Sequence, residues 1–409
     1  MAVAPGRSRA ALALGLLYAA ALAGCAPTQL AGSPAYAPAP RVAPQTPRSA
    51  GGEGVSDLAN LPGWADEDHS AALAAFQAGC VSAAAPGMQA VCTRARALGR
   101  VDDPAARVFF ETNFRPMILP GPGLLTAYFA PEYPARSMPG GGFSAALRGR
   151  PADLVYPPGD ATDPSSHKPL ARQLGDGGQT WPYPARAGIE LTPATDALAY
   201  MRPEDLFFLQ IQGSGVLTFP DGRRMKASYA ADNGRPFVPI ASAMVRRGEL
   251  ERDRASGSAI RAWLRAHAGA EAQSVMDLNP RYVFFNLTPD DGREPAGAAG
   301  LPLTPGRAVA VDPAWHPYGE PYWIDAAAPT LSGAVKTYRR LVMALDTGSA
   351  IRGDVRADLY LGRGEAAGLE AGRVRHTLLM VRLVPVAGGG ASAREAGAGH
   401  EAAPASGGD

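Results

Sequence analysis

The carboxylates that could do chemistry are densest in residues 344–364. This stretch reads ALDTGSAIRGDVRADLYLGRG and contains three aspartates, Asp346, Asp354 and Asp358. Its second half alternates apolar and polar residues with the period of a β-strand, so Asp358 is predicted to share a strand face with Arg356 and Tyr360. A solvated strand face is the plainer interpretation of such a stretch taken alone. Evidence from other parts of the chain is needed to choose between a catalytic role for these aspartates and a solvated strand face.

One alternative is an aspartic protease, because Asp346-Thr347-Gly348-Ser349 matches the local signature of that class. Aspartic proteases need two such aspartates that share a proton, contributed by two lobes or two subunits. The chain contains a single Asp-Thr-Gly, and the residues that follow it, Ala-Ile-Arg-Gly, depart from the protease pattern. A dimeric single-lobe protease would also be much shorter. We therefore do not favour this class.

The composition limits the fold classes and the kinds of ligand that remain possible. With 409 residues, of which 46% are hydrophobic and 19% charged, the chain can form two packed domains. The 48 glycines and 39 prolines favour short strands and many turns over a helical bundle. A formal charge of +1 gives no sign of nucleic-acid binding, and the six scattered histidines form no metal-binding motif. We expect a β-rich protein that uses neither a metal nor another cofactor.

The first 25 residues resemble a bacterial lipoprotein signal. Arg7 and Arg9 precede an uncharged apolar run at 10–23, and the sequence LAGC ends at Cys25. The run is too short to span a membrane comfortably, and small residues before a cysteine suit cleavage with lipidation of Cys25. An ordinary signal peptide with a chance cysteine is the alternative. By resemblance to lipoproteins, Ala26 favours anchoring to the outer membrane, with the protein facing the periplasm.

Low-complexity segments flank the expected folded part. Residues 26–55 are rich in Pro, Ala, Gly and Ser and are predicted to be a flexible tether, and 388–409 are predicted to be a disordered tail. Export would place Cys80 and Cys92 in an oxidising compartment, where they could form one disulfide. Two buried thiols remain the alternative, because bridging requires Cα atoms within about 7 Å of each other.

The residue pattern predicts few helices. Residues 70–98, interrupted at Pro86-Gly87, and residues 259–267 are rich in helix formers. A hairpin is predicted where the turn Pro220-Asp221-Gly222 joins an apolar strand at 216–219 to a returning strand at 223–229. Further strands are predicted at 206–212, 282–286, 308–311 and 378–384. Residues 138–180 are dense in Gly, Pro and Asp and are predicted to form a surface loop region.

Several polar residues on the predicted strands could hydrogen-bond a sugar chain. In a strand at 206–212, Gln210 and Gln212 would share one face, and Gly213-Ser214-Gly215 would let backbone approach a ligand closely. Thr126 and Tyr128 lie two residues apart in LLTAYF and are predicted to share a face in the same way. Exposed strand positions are the alternative explanation for these residues.

Seven blocks in a fixed order resemble the membrane-bound lytic murein transglycosylases of the MltA type. They are LLTAYFAPEY (124–133), YPARAGIE (183–190), DLFFLQIQGSG (205–215), ADNGRPFVPI (231–240), NPRYVFF (279–285), LTPGRAVAVDP (303–313) and DTGSAIRGDVRADLYLGRG (346–364). Seven ordered blocks are far more specific than any one of them. The chain departs from the commoner family residues at Ala127, Phe129 and Ala308.

The resemblance implies a mainly β fold in two domains. A double-psi β-barrel domain would comprise 56–130 and 265–387, including a three-aspartate (3D) subdomain at about 305–387. A second β-barrel domain at 131–264 would be inserted into it, and a few helices would complete the fold. The glycan groove would lie between the two domains.

The resemblance also implies which residues form the site. The three aspartates of the subdomain correspond to Asp312, Asp346 and Asp358, with Asp358 as the catalytic residue and Asp346 beside it in the site. The residues expected to bind substrate are Thr126, Tyr128, Gln210, Gln212, Ser214 and Asp312.

The implied reaction cleaves the β-1,4 bond between N-acetylmuramic acid and N-acetylglucosamine in peptidoglycan without water. Asp358 would protonate the glycosidic oxygen and then accept the proton of the muramic acid C6 hydroxyl, which attacks C1 to give a 1,6-anhydro end. Burial and the charge of Asp346 would raise the pKa of Asp358 as this role requires. Arg356 would lower that pKa, so we predict that Arg356 points elsewhere.

Two other classes stay open. A β-glycan hydrolase would need a second carboxylate across the scissile bond, and a peptidoglycan-binding lipoprotein would need no acid at all. The expected partners are peptidoglycan glycan strands and the outer membrane. Proteins of cell-wall synthesis or hydrolysis complexes are candidate partners, and the chain is expected to act as a monomer in cell-wall turnover.

Overall fold

The computed structural model describes residues 56–156, 171–252, 255–335 and 337–386. The predicted signal, the lipidated Cys25, the tether and the C-terminal tail lie outside these residues. Within these ranges, no helix combines the length and the apolar character needed to span a bilayer.

The described residues form nine α-helices and sixteen β-strands. The helices are α1 (His69–Gly79), α2 (Pro86–Leu98), α3 (Asp103–Asn113), α4 (Arg186–Leu191), α5 (Pro203–Gln212), α6 (Ala241–Arg246), α7 (Gly257–Ala266), α8 (Ala270–Met276) and α9 (Gly364–Ala371). The strands are β1 (Phe114–Ile118), β2 (Gly123–Ala130), β3 (Glu132–Pro134), β4 (Ala145–Leu147), β5 (Leu154–Val155), β6 (Arg172–Leu174), β7 (Thr180–Pro182), β8 (Ala199–Met201), β9 (Ser214–Thr218), β10 (Arg224–Asp232), β11 (Val283–Pro289), β12 (Ala308–Ala310), β13 (Pro321–Ala326), β14 (Tyr338–Asp346), β15 (Arg356–Arg363) and β16 (Arg375–Pro385).

The first two helices show the predicted interruption. Helix α1 ends at Gly79 and α2 begins at Pro86. Proline suits the first turn of a helix because an N–H there would have no partner within the helix. Cys80 and Cys92 form a disulfide with their Cα atoms 5.6 Å apart, which decides between the two alternatives that spacing left open. The bridge ties the end of α1 to α2. The predicted helix at 259–267 is also confirmed, as α7.

Six strands close into a barrel. Their order is β16-β13-β14-β12-β15-β2, and the ring closes because β2 also pairs with β16. The β12–β14 and β15–β2 pairs are parallel, and the other four are antiparallel. Apolar side chains such as Val309, Val342 and Leu359 fill the interior. The strands predicted at 308–311 and 378–384 and the mainly β class are confirmed, while the double-psi connection stays a prediction.

Helices α1 to α3 cover part of the outer face of the barrel. Their apolar side chains, among them Phe76 and Phe110, pack in one cluster with the outward residues Trp323, Leu341 and Met343 of the barrel strands. Burying rings of this size between the helices and the sheet contributes much of the stabilising apolar area. The barrel therefore has an apolar interior and a second apolar layer on one side.

A second sheet has the strand order β11-β10-β9-β3. Strands β9 and β10 form the predicted hairpin, and its turn residue Gly222 has the positive φ of 82° that suits glycine. The predicted strand at 282–286 is confirmed as β11, which pairs with β10. A domain limit at 264 would separate β11 from this partner, so the pairing favours a limit near 289. The division into domains stays a proposal.

The prediction of a strand at 206–212 is wrong, because these residues lie in helix α5. Pro203 is in the first turn, Glu204 and Asp205 follow it, and Gly213 ends the helix with a φ of 81°. Proline and acidic residues favour a helix N-terminus, and left-handed glycine favours a C-terminus. Residues two positions apart on a helix point about 200° away from each other, so Gln210 and Gln212 do not share a face.

The prediction of a surface loop at 138–180 is only partly correct. Strands β4, β5 and β6 lie in this region, and Phe143, Leu147 and Leu154 are buried. Leu147 joins the core of the second sheet. Two- and three-residue strands leave almost no period to detect, which is why glycine and proline dominated the sequence pattern. Residues 157–170 lie outside the described part of the chain.

Candidate active site

Neighbouring barrel strands place the two predicted catalytic aspartates in one row. Ala310 on β12 lies opposite Asp358 of β15 on one side and opposite Asp346 of β14 on the other. Thr126 on β2 lies opposite Asp358 on its far side. Directly opposed residues of paired strands point to the same face of a sheet. The active-site row is therefore Asp346, Ala310, Asp358 and Thr126, with a methyl group between the two carboxylates.

The active-site row lies on the outer face of the barrel. Val309 and Leu359 belong to the interior cluster. Successive strand residues alternate between faces, so Ala310 and Asp358 point outward. The predicted alternation of residues 355–361 is thus confirmed, and it is the alternation that brings Asp358 out of the core.

A bulge brings Asp346 to this face. Ala344 belongs to the interior cluster, whereas Leu345 packs in the outer cluster with the helices. Regular alternation would then return Asp346 to the interior. The register between β12 and β14 shifts between Val309 and the next residue, which makes Leu345 an extra residue on β14. Bulges re-aim the side chains that follow them, and this one turns Asp346 outward.

Asp358 is a partly buried acid with one hydroxyl partner. Thr126 Oγ1 donates a hydrogen bond to its Oδ1. Burial raises the pKa of Asp358 above its usual value, and the nearby charge of Asp346 raises it further. The hydrogen bond from Thr126 and the charge of Arg356 act in the opposite direction. Both causes predicted to raise the pKa are present, and the net direction is upward.

Arg356 was predicted to point away from Asp358 and so not to lower the pKa of that acid. The structure contradicts the second part of this prediction. The guanidinium donates to the carbonyl oxygen of Ala357 at 2.6 Å and to Thr126 Oγ1 at 2.8 Å. It does not donate to the carboxylate itself, but its charge still lowers the pKa of Asp358. Burial in turn lowers the pKa of Arg356. Thr126 therefore lies between the cation and the acid and bonds to both.

Asp346 accepts at least three hydrogen bonds. Tyr128 Oη donates to its Oδ2 at 2.7 Å, and the backbone N–H groups of Ala298 and Thr347 donate to its Oδ1 at 2.9 Å each. All three are donated to the carboxyl group, which is the pattern of an ionised carboxylate. Burial and the charge of Asp346 raise the pKa of Tyr128 well above its usual value, so the phenol remains a donor.

The Ala298 donor belongs to a strap, residues 294–303, that crosses over Asp346. Gly297 lies in the strap so close to β14 that a Cβ there would be 2.4 Å from the carbonyl oxygen of Leu345 and 3.1 Å from Asp346 Cβ. Only glycine allows this approach without moving backbone. The strap is therefore built to bring its N–H group to Asp346.

Two tyrosines connect the strap to the row. The rings of Tyr128 and Tyr360 lie 5.2 Å apart between centroids. Tyr360 Oη donates to Glu294 Oε2 at 2.5 Å, at the start of the strap, while Tyr128 donates to Asp346. Tyr360 thus holds the strap, and Tyr128 holds the carboxylate beneath it. The shared face of Asp358 and Tyr360 was predictable from alternation, but the carboxylate partner of Tyr360 was not.

Asp312 does not join the active-site row. Its carboxylate accepts backbone N–H groups from Ala314 at 3.2 Å and Gly353 at 2.9 Å, and it lies 3.5 Å from Arg352 Nη1. The residue is buried. These contacts hold the turn after β12 against the loop between β14 and β15. They are structural contacts, and the predicted contact of Asp312 with substrate stays a prediction.

The three candidates from residues 210–214 lie with the second sheet. Gln210 is buried, and its Nε2 donates to the carbonyl oxygen of Val283 at 3.3 Å. Ser214 begins β9 and lies opposite Ser228 of β10. None of Gln210, Gln212 and Ser214 hydrogen-bonds Asp358 in the part of the chain that the structure describes. Their predicted role in substrate binding stays a prediction.

Sequence reasoning missed the residues that separate and support the carboxylates. Ala310 is an ordinary alanine until the strand register places it between two aspartates. The strap had a signal, because glycines recur at 292, 297 and 300 and often mark close backbone approaches. Across the described residues, no group of three or more His, Cys, Asp or Glu side chains is arranged to hold a metal ion.

Comparison with protein families and curated proteins gives a consistent assignment. Residues 124–286 match the MltA specific insert domain, and residues 307–384 match the 3D domain. Membrane-bound lytic murein transglycosylase A of Vibrio cholerae is 36% identical over 194 residues, which cover 46% of this chain and 50% of the relative. The chain thus spans about half the length of the curated relatives it matches.

Solved structures extend the likeness over most of the chain. The membrane-bound lytic murein transglycosylase from Agrobacterium tumefaciens is 33% identical, has a TM-score of 0.69, and covers 80% of this chain and 96% of its own. Escherichia coli MltA with bound chitohexaose is 25% identical, has a TM-score of 0.56, and covers 82% of this chain and 92% of its own. The chain belongs to the membrane-bound lytic murein transglycosylase A family.

Proposed function

We propose that this protein is a peptidoglycan lytic transglycosylase in which Asp358 is first the acid and then the base. The observation that carries the proposal is the active-site row, where a partly buried acid with a raised pKa faces, across Ala310, a carboxyl group that accepts hydrogen bonds from Tyr128 and two backbone N–H groups. The family supports the substrate class, since its curated relatives are lytic murein transglycosylases and one solved relative binds chitohexaose.

The first step requires a protonated carboxylic acid. Asp358 donates its proton to the glycosidic oxygen, the bond from that oxygen to C1 of N-acetylmuramic acid breaks, and the C4 hydroxyl of N-acetylglucosamine leaves. The raised pKa of Asp358 keeps a larger fraction of the acid protonated near neutral pH than an exposed aspartate would have. Thr126 orients the carboxyl group by its hydrogen bond.

The charge that develops in this step is positive. Breaking the C1–oxygen bond gives an oxocarbenium-like transition state. Asp346 is held ionised by three donors and lies in the same row, so its negative charge stabilises that state without having to reorient. A fixed carboxylate of this kind is more effective than one that must shed water first.

The second step closes a ring and returns the proton. The C6 hydroxyl of N-acetylmuramic acid attacks C1, and the carboxylate of Asp358 accepts the hydroxyl proton, which regenerates the acid. The nucleophile belongs to the same sugar, so its effective concentration is on the order of 10⁵ M when well oriented. The products are a 1,6-anhydromuramic acid end and an N-acetylglucosamine end, and no water is consumed.

A β-glycan hydrolase is the second candidate, because Asp346 shares the row with Asp358. Hydrolases place their two carboxyl groups roughly 5 to 9.5 Å apart and use the second to attack C1 or to activate water. The three donors on Asp346 stabilise its lone pairs and weaken it as a nucleophile or base. The environment of Asp346 therefore favours a stabilising role over a hydrolytic one.

Digestion of purified peptidoglycan in ¹⁸O-labelled water distinguishes these functions. Mass spectrometry of the released fragments is expected to show ends one water lighter than reducing ends and free of ¹⁸O. Reducing ends that carry ¹⁸O would establish the hydrolase instead. Binding to the glycan without any released product would leave a non-catalytic binding protein and overturn both enzymes.

We also propose that Cys25 carries a lipid that anchors the protein to the outer membrane on its periplasmic side. The sequence LAGC after a short apolar run supports this. Cell fractionation of the wild type is expected to place it with outer membranes, and metabolic labelling with a fatty acid is expected to label the wild type but not Cys25→Ser. A wild type that takes up no label would contradict the anchor.

A further inference from the structure

Arg375 extends the active-site row by one strand. Thr126 of β2 lies opposite Asp358 of β15 on one side and opposite Arg375 of β16 on the other. All three therefore point to the outer face of the barrel. Neighbouring strands lie about 4.8 Å apart, so the Cα atoms of Arg375 and Asp358 are separated by about 10 Å. A substrate seated over Asp358 and Thr126 comes within reach of this long side chain.

Arg375 is an exposed cation with no hydrogen-bond or ion-pair partner among the described residues. Its side chain makes no hydrogen bond or ion pair in the ranges that the structure describes. Two other arginines of these same strands are bound: Arg363 of β15 lies 2.6 Å from Asp290, and Arg382 of β16 lies 2.6 Å from Glu320. A guanidinium has five N–H donors, so Arg375 can bind an anion through more than one of them.

Arg356 adds a second guanidinium to the same place. It donates to Thr126, and the charge of Arg375 lies close enough to lower the pKa of Arg356. Two guanidinium groups held side by side repel each other, and an anion between them would offset that repulsion. Guanidinium groups bind carboxylates through paired N–H donors, which gives geometric selectivity as well as affinity.

The surface beyond Arg375 is open. Thr377 and Leu379 are the next outward residues of β16, and both are exposed, with half of Leu379 accessible. Helices α1 to α3 cover the outer face only further along, at Val381 and Leu383. A bulky group attached to a sugar in the active site can therefore extend over these exposed residues.

We propose that Arg375, with Arg356 behind it, binds a carboxylate carried by the lactyl substituent of the muramic acid residue. This deepens the proposed function and rests on it, since only the muramic acid sugars of peptidoglycan carry a lactyl ether. The carboxylate is either that of the lactyl group itself, where no peptide is attached, or one of the stem peptide. The site distinguishes muramic acid from N-acetylglucosamine, which has no such group.

The test compares Arg375→Gln with Arg373→Gln in steady-state assays. Arg373 is also exposed, lies two residues earlier and outside the strand, and serves as the matched control. Both variants are assayed on glycan strands with intact stem peptides and on strands stripped of peptides, whose lactyl carboxylates are free. Arg375→Gln is expected to raise KM about tenfold with little change in kcat, as the loss of one charge-assisted hydrogen bond would do. Arg375→Lys should recover part of the loss.

The two substrates identify the source of the carboxylate. A rise in KM on stripped strands supports the lactyl carboxylate, and a rise confined to peptide-bearing strands supports a stem-peptide carboxylate. Chitohexaose, which has no carboxylate, is the uncharged probe, and its Kd should not change in Arg375→Gln. An unchanged KM on both strands, or an equal loss of chitohexaose affinity, would overturn the inference. Failure of the wild type to release any product would instead overturn the proposed function.

Discussion

The two carboxylates of the active-site row have opposite surroundings. Asp358 lies partly buried, with Thr126 as its hydrogen-bond donor, and its pKa is raised. Asp346 accepts three hydrogen bonds, from Tyr128 and from two backbone N–H groups. Burial favours the neutral form of a carboxyl group, whereas donors favour the ionised form. One residue type is thereby suited to two roles, acid and charge stabiliser, according to what surrounds it.

The two surroundings are also built differently. Asp358 occupies a regular strand position, and alternation alone turns it outward. Asp346 depends on a bulge at Leu345 and on the strap that carries Ala298. The acid site is therefore simple and the stabilising site is assembled from several segments. Changes at each site should have distinct effects on rate and on pH dependence.

Asp358→Asn should have the largest effect. It removes the group that donates and then accepts the proton, so kcat is expected to fall by about 10³-fold or more. Asp325→Asn is the control, since Asp325 lies on barrel strand β13 and pairs with Arg339 at 2.8 Å away from the active-site row. Product release and glycan binding are measured for both variants. Retained turnover in Asp358→Asn would remove this residue from the mechanism.

Asp346→Asn should have the next largest effect, because it removes the charge that stabilises the transition state. The expected loss in kcat is about 10²-fold. The charge of Asp346 also raises the pKa of Asp358. Without it that pKa falls, and activity that needs the protonated acid is lost at a lower pH than in the wild type. Profiles of kcat/KM against pH test the direction, and a shift of the alkaline limb to higher pH would contradict the assignment.

Gly297→Ala tests the strap. The new Cβ would lie 2.4 Å from the carbonyl oxygen of Leu345, so the strap must move away from Asp346. Overpacking of this kind costs about 1–3 kcal/mol of stability, and activity should fall about tenfold as the Ala298 hydrogen bond weakens. Gly149→Ala is the control, because its Cβ would have no neighbour nearer than 3.9 Å. Thermal unfolding and kcat of both variants decide whether the strap supports Asp346.

Thr126→Val should have the smallest effect on activity. It should shift the pH profile in the direction opposite to the shift caused by Asp346→Asn. The Thr126 hydrogen bond lowers the pKa of Asp358, so its loss should raise that pKa and move the alkaline limb to higher pH. A shift of about one pH unit or less is expected from one hydrogen bond. Thr126→Ser should restore the wild-type profile. If Thr126→Val and Asp346→Asn moved the limb in the same direction, the contrast between the two carboxylates would be lost.

Much of the local structure could be predicted because its causes are local. The turn at Gly222 and the break at Pro86 follow from the backbone preferences of single residues. The outward face of Asp358 follows from alternation over a few positions. Helix α5 could also have been recognised, since Pro203 and Gly213 mark its two ends. The apolar content of 206–212 favours a strand, whereas the residues at its two ends favour a helix.

The sequence by itself determined which side chains are available, which face of β15 Asp358 occupies, and, through seven ordered blocks, the family. Only the tertiary structure decided that Ala310 separates Asp346 from Asp358. It also decided that Thr126 bonds Asp358 across 232 residues of chain. Strand register and barrel closure join residues that are distant in sequence, and a shift of one position turns every side chain to the other face. No local pattern encodes that register, so the chemistry of the site depends on the closed barrel.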